Sequence, residues 1–251
     1  MQELALATEE RLTWLRQRLH ERGRIAVGQA AGELRVSEMT VRRDLRTLEE
    51  LGWARRVRGG ALPVGPAQLS DRQRRRARAK GVIATKLAGL VPDLGAVALD
   101  ASSTVLRLAT ALPPIRSLDV ITNSLGTFES LQGQPGVRAM LTGGTRDART
   151  GSLVGPLAVA SARRLATARF FMSAAAVDQA LGPCEASLEE VEVKLALAEV
   201  SAEVVLAVDS SKLNSRAVAP SLGWEQISLL VTELDPSDRR LEHYRQVVQV
   251  V

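Results

Sequence analysis

The sequence predicts an α/β protein in two parts, a small helical module with a basic surface followed by a larger domain of alternating helices and strands. Three observations support this division. Two amphipathic helical patterns joined by only two residues occupy positions 25 to 48, a strand-like segment with a glycine pair follows at 51 to 61, and six short apolar runs alternate with helical stretches from residue 82 onward. With 251 residues, 45% of them hydrophobic, the chain is long enough to bury a core in each part.

The first two helices predict a helix-turn-helix. Residues 25 to 34 have the spacing of a short helix, and a second helix opens after Ser37, whose hydroxyl can accept a hydrogen bond from a free amide of the first turn. Val41, Leu45 and Leu48 recur at helical spacing and define the inward face. Two helices joined this tightly are typical of proteins that place the second helix in the DNA major groove. Long side chains are left on the outer face of that helix: Glu38, Met39, Arg42, Arg43 and Arg46.

The segment after the second helix predicts the wing of a winged helix. The helix is expected to end at Gly52, and the chain is expected to turn at Gly59 and Gly60, where glycine permits backbone geometry closed to other residues. Arginine suits a position beside a duplex, because its planar guanidinium group pairs with phosphate and also bonds guanine bidentately. A solvated basic helical hairpin is the alternative interpretation of the same stretch. The arginines of this segment are Arg55, Arg56 and Arg58.

Charge is distributed unevenly along the chain. The net charge of +5 divides into +8 for residues 1 to 80, with 18 basic and 10 acidic side chains, and −3 for the remainder, with 15 basic and 18 acidic side chains. The basic field therefore belongs to the N-terminal module. Such a field supplies salt-sensitive, nonspecific attraction to phosphates, and individual side chains of the second helix must supply any sequence preference.

Composition argues against several other classes of protein. Cys184 is the only cysteine, the N-terminus lacks the basic and apolar regions of a secretion signal, and no apolar run approaches the roughly 18 residues of a membrane span, so the cytoplasm is the expected location and no membrane contact is expected. His20 and His243 lie far apart in sequence, so neither a metal site nor a nucleophilic dyad is indicated. No phosphate-binding loop or dinucleotide fingerprint is present, and no cofactor is expected. An aromatic content of 3% argues against a stacking platform for single strands.

The larger domain is predicted to contain a mainly parallel sheet covered by helices. In such sheets ligands bind beyond the carboxyl ends of the strands, so the residues that follow each apolar run are the candidates for a site. The runs are Val97–Leu99, Val120–Thr122, Val137–Leu141, Phe170–Met172, Val204–Val208 and Ile227–Val231.

Polar and small residues follow three of these runs. Asp100-Ala-Ser-Ser-Thr104 leads into a helical pattern over 105 to 112, and hydroxyls with free amides at a helix start can cradle a phosphate. The same residues are equally typical of an ordinary helix cap. Asn123 and Ser124 are also standard caps, and the paired Gly143 and Gly144 either allow a ligand to approach the backbone or only turn the chain. Their repeated placement after successive strands favours a shared pocket.

Charged side chains complete the predicted pocket. Lys212 follows the strongest apolar strand and can neutralise a phosphate, and the alternative is a solvent-exposed loop lysine. Glu190 and Lys194 lie four residues apart on a predicted helix, and the alternative for them is a surface ion pair contributing only tenths of a kcal/mol.

Three motifs resemble the DeoR family of bacterial transcription regulators: Val36-Ser-Glu-Met-Thr-Val-Arg-Arg-Asp-Leu45, Leu48-Glu-Glu-Leu-Gly52 and Arg56-Val-Arg-Gly-Gly-Ala61. The resemblance extends over nearly the whole chain. It implies a winged helix joined to an α/β domain that resembles ribose-5-phosphate isomerase and CoA transferases and senses a phosphorylated sugar or related metabolite. Arg58 stands where the family usually has histidine, but a basic residue is kept, so DNA contact is still expected.

The resemblance also extends to the predicted pocket. The loop at 100 to 104 is similar to a family loop of the form Asp-x-Gly-Thr-Thr, with Ser102 in place of the usual glycine, a change expected to narrow the loop or alter which anion fits. Other segments similar to the family are Thr122-Asn-Ser124, Asp209-Ser-Ser-Lys212, the spacing of Glu190 and Lys194, and Arg72 eight residues before Lys80. The arginine-rich residues 71 to 80 are interpreted either as a second phosphate-contacting element or as a solvated helix start.

These observations predict a winged helix-turn-helix DNA-binding domain at residues 1–62, a linker and sensor-domain start at 63–79, and a Rossmann-like α/β effector-binding domain at 80–251. The expected function is a sequence-specific repressor of a sugar or polyol operon that binds double-stranded operator DNA as a homo-oligomer, a dimer or tetramer, and responds to a phosphorylated sugar or polyol. An activator of the same architecture is one alternative. An isomerase or CoA-transferase-like enzyme with a DNA-binding appendage, using Asp100, Glu190, Asp209 and Lys212 as acids and bases, is the other.

The expected DNA-binding residues lie on the second helix and the wing: Ser37, Glu38, Thr40, Arg42, Arg43, Arg46, Arg55, Arg56, Arg58, Gly59 and Gly60. The expected effector-binding residues follow the strands or lie on the helix of the charged pair: Asp100, Ser102, Ser103, Thr104, Thr122, Asn123, Ser124, Gly143, Gly144, Glu190, Lys194 and Lys212.

Overall fold

The computed structural model describes residues 8–50, 53–63, 69–74, 76–147 and 150–251. The chain divides into two compact units, Met1–Arg72 and Gln73–Val251. The predicted end of the second helix of the helix-turn-helix, at Gly52, lies outside the described residues. Positions 64–68 of the predicted linker and Arg75 also lie outside them. Within the described residues no helix is long and apolar enough to cross a membrane.

The N-terminal unit contains three helices and a three-stranded antiparallel sheet. Its elements are α1 (Thr8–Arg22), β1 (Ile25–Ala26), α2 (Val27–Leu34), α3 (Glu38–Glu50), β2 (Ala54–Val57) and β3 (Gly60–Pro63), with strand order β1-β3-β2. The predicted winged helix-turn-helix is confirmed. The prediction that a helix begins at residue 25 was wrong, because Ile25 and Ala26 pair with Ala61 and Gly60 of the wing as strand β1.

The turn between α2 and α3 follows from local backbone chemistry. Arg35 ends α2 in the left-handed region at φ 52°, and Ser37 Oγ accepts a hydrogen bond from Thr40 N at 3.1 Å, which caps α3 as predicted. Val41, Leu45 and Leu48 are buried, as their spacing indicated. The exposed side chains of α3 therefore lie on the face of the helix opposite the residues that pack into the core.

A buried ion pair joins α1 to α3. Asp44, which is only 2% exposed, accepts hydrogen bonds from Arg11 Nε at 2.8 Å and Arg11 Nη2 at 3.2 Å. Both partners lie away from solvent, so loss of either one leaves a charge buried without its counter-ion. Neither α1 nor this pair was predicted from the sequence.

The C-terminal unit is built on a seven-stranded parallel sheet. Its strands are β4 (Leu94–Leu99), β5 (Ser117–Thr122), β6 (Val137–Leu141), β9 (Thr167–Met172), β12 (Ser201–Ala207), β14 (Leu229–Val231) and β15 (Gln249–Val250). Their order is β15-β14-β12-β9-β4-β5-β6, which confirms the predicted α/β fold.

Helices cover both faces of this sheet. Helix α4 (Leu69–Arg74) spans the boundary between the two units. The helices that follow it are α5 (Ala77–Ala88), α6 (Ser103–Ala109), α7 (Leu125–Leu131), α8 (Pro156–Ala162) and α9 (Leu188–Glu199). Phe170 and Phe171, neighbours on β9, belong to two different apolar cores. Helices α5 to α7 cover one core and helices α8 and α9 cover the other.

Two small antiparallel sheets accompany the main sheet, and neither was predicted. A hairpin pairs β7 (Thr145–Arg146) with β8 (Leu153–Val154). A three-stranded sheet has the order β10 (Ala176–Asp178), β11 (Gly182–Glu185) and β13 (Ala219–Pro220). These short strands supply residues to the carboxyl edge of the main sheet, where the site predicted from the sequence lies.

Candidate functional site

The outer face of α3 carries arginines in two different states. Arg42 is held by Glu38, with Nη2 2.7 Å from Oε2. Arg43 and Arg46 are exposed and carry no ion pair among the described residues. Neither arginine therefore has an ion pair among the described residues to break before it contacts a partner, although the charge of Arg46 contributes to the lowered pKa of Glu49.

The wing presents three exposed arginines. Gly59 forms its tip with φ +80°, and Arg55 and Arg58 extend from the strand and turn without ion pairs among the described residues. Arg56 is engaged with Glu49, whose two carboxylate oxygens accept from Arg56 N at 2.9 Å and Arg56 Nε at 2.7 Å. These hydrogen bonds lower the pKa of Glu49. The contact ties the wing to the end of α3.

Three of the predicted DNA-contacting residues have an evident structural role. Gly60 is buried, and a Cβ atom there would lie 1.9 Å from the carbonyl oxygen of Ile25, so the close pairing of β3 with β1 requires glycine. Thr40 is half-buried and its hydroxyl lies 2.9 Å from Ser37 Oγ. Packing within the unit accounts for a glycine at position 60, and the contacts of Ser37 with Thr40 stabilise the first turn of α3.

In the C-terminal unit, polar residues lie directly after five adjacent strands, and Asp100 and Asn123 are the two of them that were predicted as effector-binding residues. Asp100 follows β4, Asn123 follows β5, Thr142 follows β6, Ser173 follows β9 and Asp209 lies just beyond β12. Because these strands are parallel neighbours, their carboxyl ends form one edge of the sheet. All five side chains are buried.

Asp100 is the centre of a hydrogen-bond network at this edge. Its Oδ1 accepts from Ser102 N at 2.9 Å, and its Oδ2 accepts from Ser173 N at 2.9 Å and lies 3.0 Å from Lys194 Nζ. The carboxylate therefore links the loop after β4 to the end of β9 and to helix α9.

Lys194 is buried between two carboxylates. Besides Asp100, its ammonium donates to Glu185 Oε1 at 2.5 Å and to the carbonyl oxygen of Ser173 at 2.6 Å. Burial alone lowers the pKa of this lysine, but the surrounding carboxylates of Glu185, Asp100 and Glu190 outweigh burial and raise the pKa. Lys194 therefore has two buried carboxylates as counter-ions and a backbone carbonyl as a hydrogen-bond acceptor, all within the unit.

The alternative interpretation of Glu190 and Lys194 as a surface ion pair was wrong. Lys194 turns inward to Asp100 and Glu185, and Glu190 Oε1 accepts a hydrogen bond from Ser152 Oγ at 3.0 Å. Glu185 on β11 is itself buried, and burial raises its pKa, with the charge of Lys194 opposing that shift. Glu185 was missed because β11 is too short to show a strand pattern. Ser173 directly follows a predicted strand, so the rule used for the other strands would have found it.

Lys212 has a different environment from Lys194. Its Nζ lies 3.1 Å from Ser173 Oγ and also donates to the carbonyl oxygen of Ala174. Burial lowers the pKa of Lys212, opposed by the negative charges of Asp209 and Glu185. The alternative of a solvent-exposed loop lysine was wrong, because the side chain is half-buried. Among the described residues, two partners leave one N–H of this ammonium available.

Buried polar atoms without partners mark the same edge. Within the part of the chain that the structure describes, Thr104 Oγ1, Asn123 Oδ1 and Thr127 Oγ1 have no hydrogen-bond partner. Asn123 is held in place through its Nδ2, which donates to the carbonyl oxygen of Leu153 at 3.2 Å. Buried polar groups are nearly always satisfied in native proteins, so a ligand or ordered water is expected to complete them.

The remaining predicted pocket residues have structural contacts. Ser102 Oγ accepts from Val105 N at 3.1 Å, Ser124 Oγ accepts from Thr127 N at 3.1 Å, and Thr122 Oγ1 accepts from Ser124 N at 3.1 Å. Ser102 and Ser124 therefore act as helix caps, the local interpretation left open above. Ser103 is buried at the first position of α6.

The paired glycines separate into two roles. A Cβ atom on Gly144, where φ is +113°, would lie 2.6 Å from the carbonyl oxygen of Val154, so Gly144 is required by packing against β8. Gly143 has φ +72° and open space around its Cα. Only Gly143 keeps backbone free for the approach of another molecule.

The arginine-rich segment before α5 is partly described. Arg76 and Arg78 are exposed at the start of the helix, and Lys80 is buried with a relative exposure of 3%. No group of three histidine, cysteine, aspartate or glutamate side chains that could hold a metal ion occurs among the described residues.

Comparison with known proteins places both units in one family. A family model described as the DeoR-like helix-turn-helix domain matches residues 11–64, and one described as the DeoR C terminal sensor domain matches residues 75–234. The chain is 30% identical over 234 residues to the transcriptional repressor AccR of Agrobacterium fabrum, covering 90% of each chain. It is also 30% identical over 249 residues to the lactose phosphotransferase system repressor of Streptococcus mutans, covering 96% of this chain and 98% of the relative.

Structural similarity to an enzyme is weak. Ribose 5-phosphate isomerase A of Neisseria gonorrhoeae aligns with 55% of this chain and 53% of its own at 22% identity and a TM-score of 0.36. The family matches, by contrast, cover both units. The chain belongs to the DeoR family of DNA-binding transcriptional regulators.

Proposed function

We propose that this protein represses a carbohydrate-utilisation operon and that a phosphorylated sugar or polyol, bound at the carboxyl edge of the large sheet, changes its affinity for operator DNA. Both relatives described above are named as repressors, and one name refers to a lactose phosphotransferase system. Regulation by a ligand requires that the ligand favour one arrangement of the protein over another.

On the DNA side, the proposal assigns base and phosphate contacts to exposed residues of α3 and the wing. Arg43 and Arg46 are exposed without ion pairs among the described residues, which favours them for the first contacts. Gly60 is left out because it is buried against Ile25. The proposed contact residues are Ser37, Glu38, Thr40, Arg42, Arg43, Arg46, Arg55, Arg56, Arg58 and Gly59.

On the effector side, the observation that carries the proposal is the environment of Lys212. Its ammonium lies beside Ser173 at the strand ends and makes two hydrogen bonds among the described residues. Thr104 in the first turn of α6 and Asn123 in the loop after β5 have buried oxygens without partners in the same part of the chain. A cation and unsatisfied hydrogen-bonding groups at the same edge of the sheet suit a ligand that combines a phosphate with hydroxyls. We assign Lys212 to the phosphate and Thr104 and Asn123 to hydroxyl groups.

The other predicted effector residues divide by their contacts. Lys194 and Asp100 pair with each other and position the site. Glu190 accepts a hydrogen bond from Ser152 through Oε1, and its Oε2 accepts none from the described residues. Ser102, Ser103, Thr122, Ser124, Gly143 and Gly144 shape the loops around the ligand.

The proposal includes assembly and location. Two winged helices fixed by paired sensor units can read two half-sites together, so a homodimer or a tetramer built from dimers is expected. A protein that binds operator DNA works where the chromosome lies, which supports the cytoplasm.

Deletion of the gene with a reporter on the neighbouring operon tests the direction of control. Reporter expression should rise in the deletion strain. A fall in expression would mean that the protein is an activator.

An assay of the pure protein with ribose 5-phosphate tests the enzyme alternative. Isomerisation that is abolished in Lys212→Ala would support that alternative.

A further inference from the structure

Met39 is an apolar side chain on a surface otherwise suited to charged partners. Its side chain is 72% exposed, and it is the only large apolar residue exposed on α3, all of whose residues are described. The other apolar residues of the helix, Val41, Leu45 and Leu48, are buried. Met39 therefore contributes nothing to the core of its unit.

The helix places Met39 in line with the available arginines. Residues advance by about 100° around a helix, so Met39 lies roughly opposite the buried Val41. Arg43 is four positions further on and Arg46 is seven, which puts all three on the same outward face. Met39 thus begins a ridge that continues with two exposed arginines lacking ion pairs among the described residues.

We infer that Met39 reads a thymine in the operator by packing against its C5-methyl group in the major groove. This inference rests on the proposed function, in which α3 enters that groove. The thioether side chain is flexible and apolar, so it suits the only apolar feature that a base pair presents there. The flanking arginines match the negative charge of the duplex, which favours DNA over an apolar protein surface as the occupant.

The geometry also predicts where that thymine lies. Four residues of helix span about 6 Å, since each residue rises about 1.5 Å. Successive base pairs are about 3.4 Å apart, so the thymine should lie within roughly two base pairs of the base that Arg43 contacts. Because the helix holds both side chains on one face, the distance between the thymine and the base that Arg43 contacts should be the same in every half-site.

The test uses the full-length protein and a binding site selected from random duplex DNA. Each thymine of the selected site is replaced in turn by deoxyuridine, which differs only by lacking the methyl group. One thymine in each half-site should show binding weakened by about fourfold, the loss expected for about one buried methyl group. In Met39→Ala the same replacement should have no effect.

A matched control separates this contact from a general loss of apolar surface. Leu157 in the C-terminal unit is also 72% exposed, so Leu157→Ala removes a comparable side chain from the unit that does not contain α3 and should keep the thymine effect unchanged. Met39 is exposed and alanine favours helix, so Met39→Ala is expected to fold, and circular dichroism checks this.

Two results would overturn the inference while leaving DNA binding intact. One is a selected site in which no thymine responds to deoxyuridine, and the other is a response that persists in Met39→Ala. Failure to enrich any sequence would overturn the proposed function together with the inference.

Discussion

Lys194 Nζ lies 3.0 Å from Oδ2 of Asp100, and both side chains are less than 10% exposed. The same ammonium also donates to Glu185 and to the backbone of Ser173. Lys194 therefore neutralises two carboxylates beneath the strand ends, whereas Lys212 is the lysine that we assign to the phosphate of the ligand. The two lysines of the site should respond differently to the same substitution.

Replacing Lys194 by methionine should destabilise the C-terminal unit by about 3–5 kcal/mol, because Asp100 and Glu185 would stay buried without their cation. Lys212→Met should cost far less stability, since burial already disfavours its charge. Urea unfolding followed by Trp224 fluorescence, with Trp14 and Trp53 changed to phenylalanine, measures the difference. Adding Glu185→Gln to Lys194→Met should recover part of the loss, and equal losses for the two lysine variants would refute the assignment.

Effector affinity should fall with rising pH on the alkaline side. Burial lowers the pKa of Lys212 from its usual 10.5, so the ammonium loses its proton, and with it its attraction for phosphate, at a lower pH than an ordinary lysine. A phosphate ester is already a dianion above pH 7.5, so its own charge is constant there. Calorimetric titration from pH 7.5 to 10 should show the fall in the parent protein. Lys212→Arg should bind with no such pH dependence, and a similar fall in that variant would exclude Lys212 as its origin.

Arg43→Ala should weaken operator binding more than Arg42→Ala. A bidentate base contact contributes about 1–3 kcal/mol, and Arg43 is free to make one, whereas Arg42 must first leave Glu38. Glu38→Gln should tighten binding to random duplex DNA, because it releases Arg42 and removes a negative charge near phosphate. Gel-shift titrations with the selected site and with random DNA compare these variants. If both arginine variants bound DNA as tightly as the parent protein, α3 would not form part of the DNA interface.

The Arg11 and Asp44 pair should be essential to the winged helix. Arg11→Met leaves the Asp44 carboxylate buried without this partner and should cost about 3–5 kcal/mol. Unfolding followed by Trp14 and Trp53, in a Trp224→Phe background, reports on this unit. The double variant Arg11→Met with Asp44→Leu should recover much of the stability, since it leaves neither member of the pair charged. A small effect of Arg11→Met would show that the pair is solvated.

Much of the fold was predictable because it depends on the spacing of apolar and capping residues that are close together in sequence. The cap at Ser37, the inward face of α3 and the six apolar runs each depend on residues close together in sequence, and the structure confirms them. The Arg11 and Asp44 pair, 33 positions apart, could not be inferred without knowing that α1 packs on α3.

The proposed site was predictable in part for the same reason. Residues directly after predicted strands were found by a simple topological rule, but Glu185 lies on a strand of four residues with no clear alternation. The inward turn of Lys194 is a tertiary effect, since its spacing from Glu190 indicates a surface pair when read alone. Charged residues on amphipathic helices are assigned to solvent by pattern, and only the fold shows which of them are buried.

The most direct test of the central claim is a thermal-shift screen of the protein against phosphorylated sugars and polyols, each beside its unphosphorylated counterpart, with Lys212→Ala run in parallel. A ligand present at about one hundred times its Kd should stabilise the folded state by roughly 2.7 kcal/mol, which corresponds to a rise in Tm of several degrees. We expect such a rise with a phosphorylated compound, none with its counterpart, and none in Lys212→Ala. A rise that is unchanged in Lys212→Ala, or no rise with any phosphorylated compound, would contradict a sugar-phosphate site at this edge of the sheet.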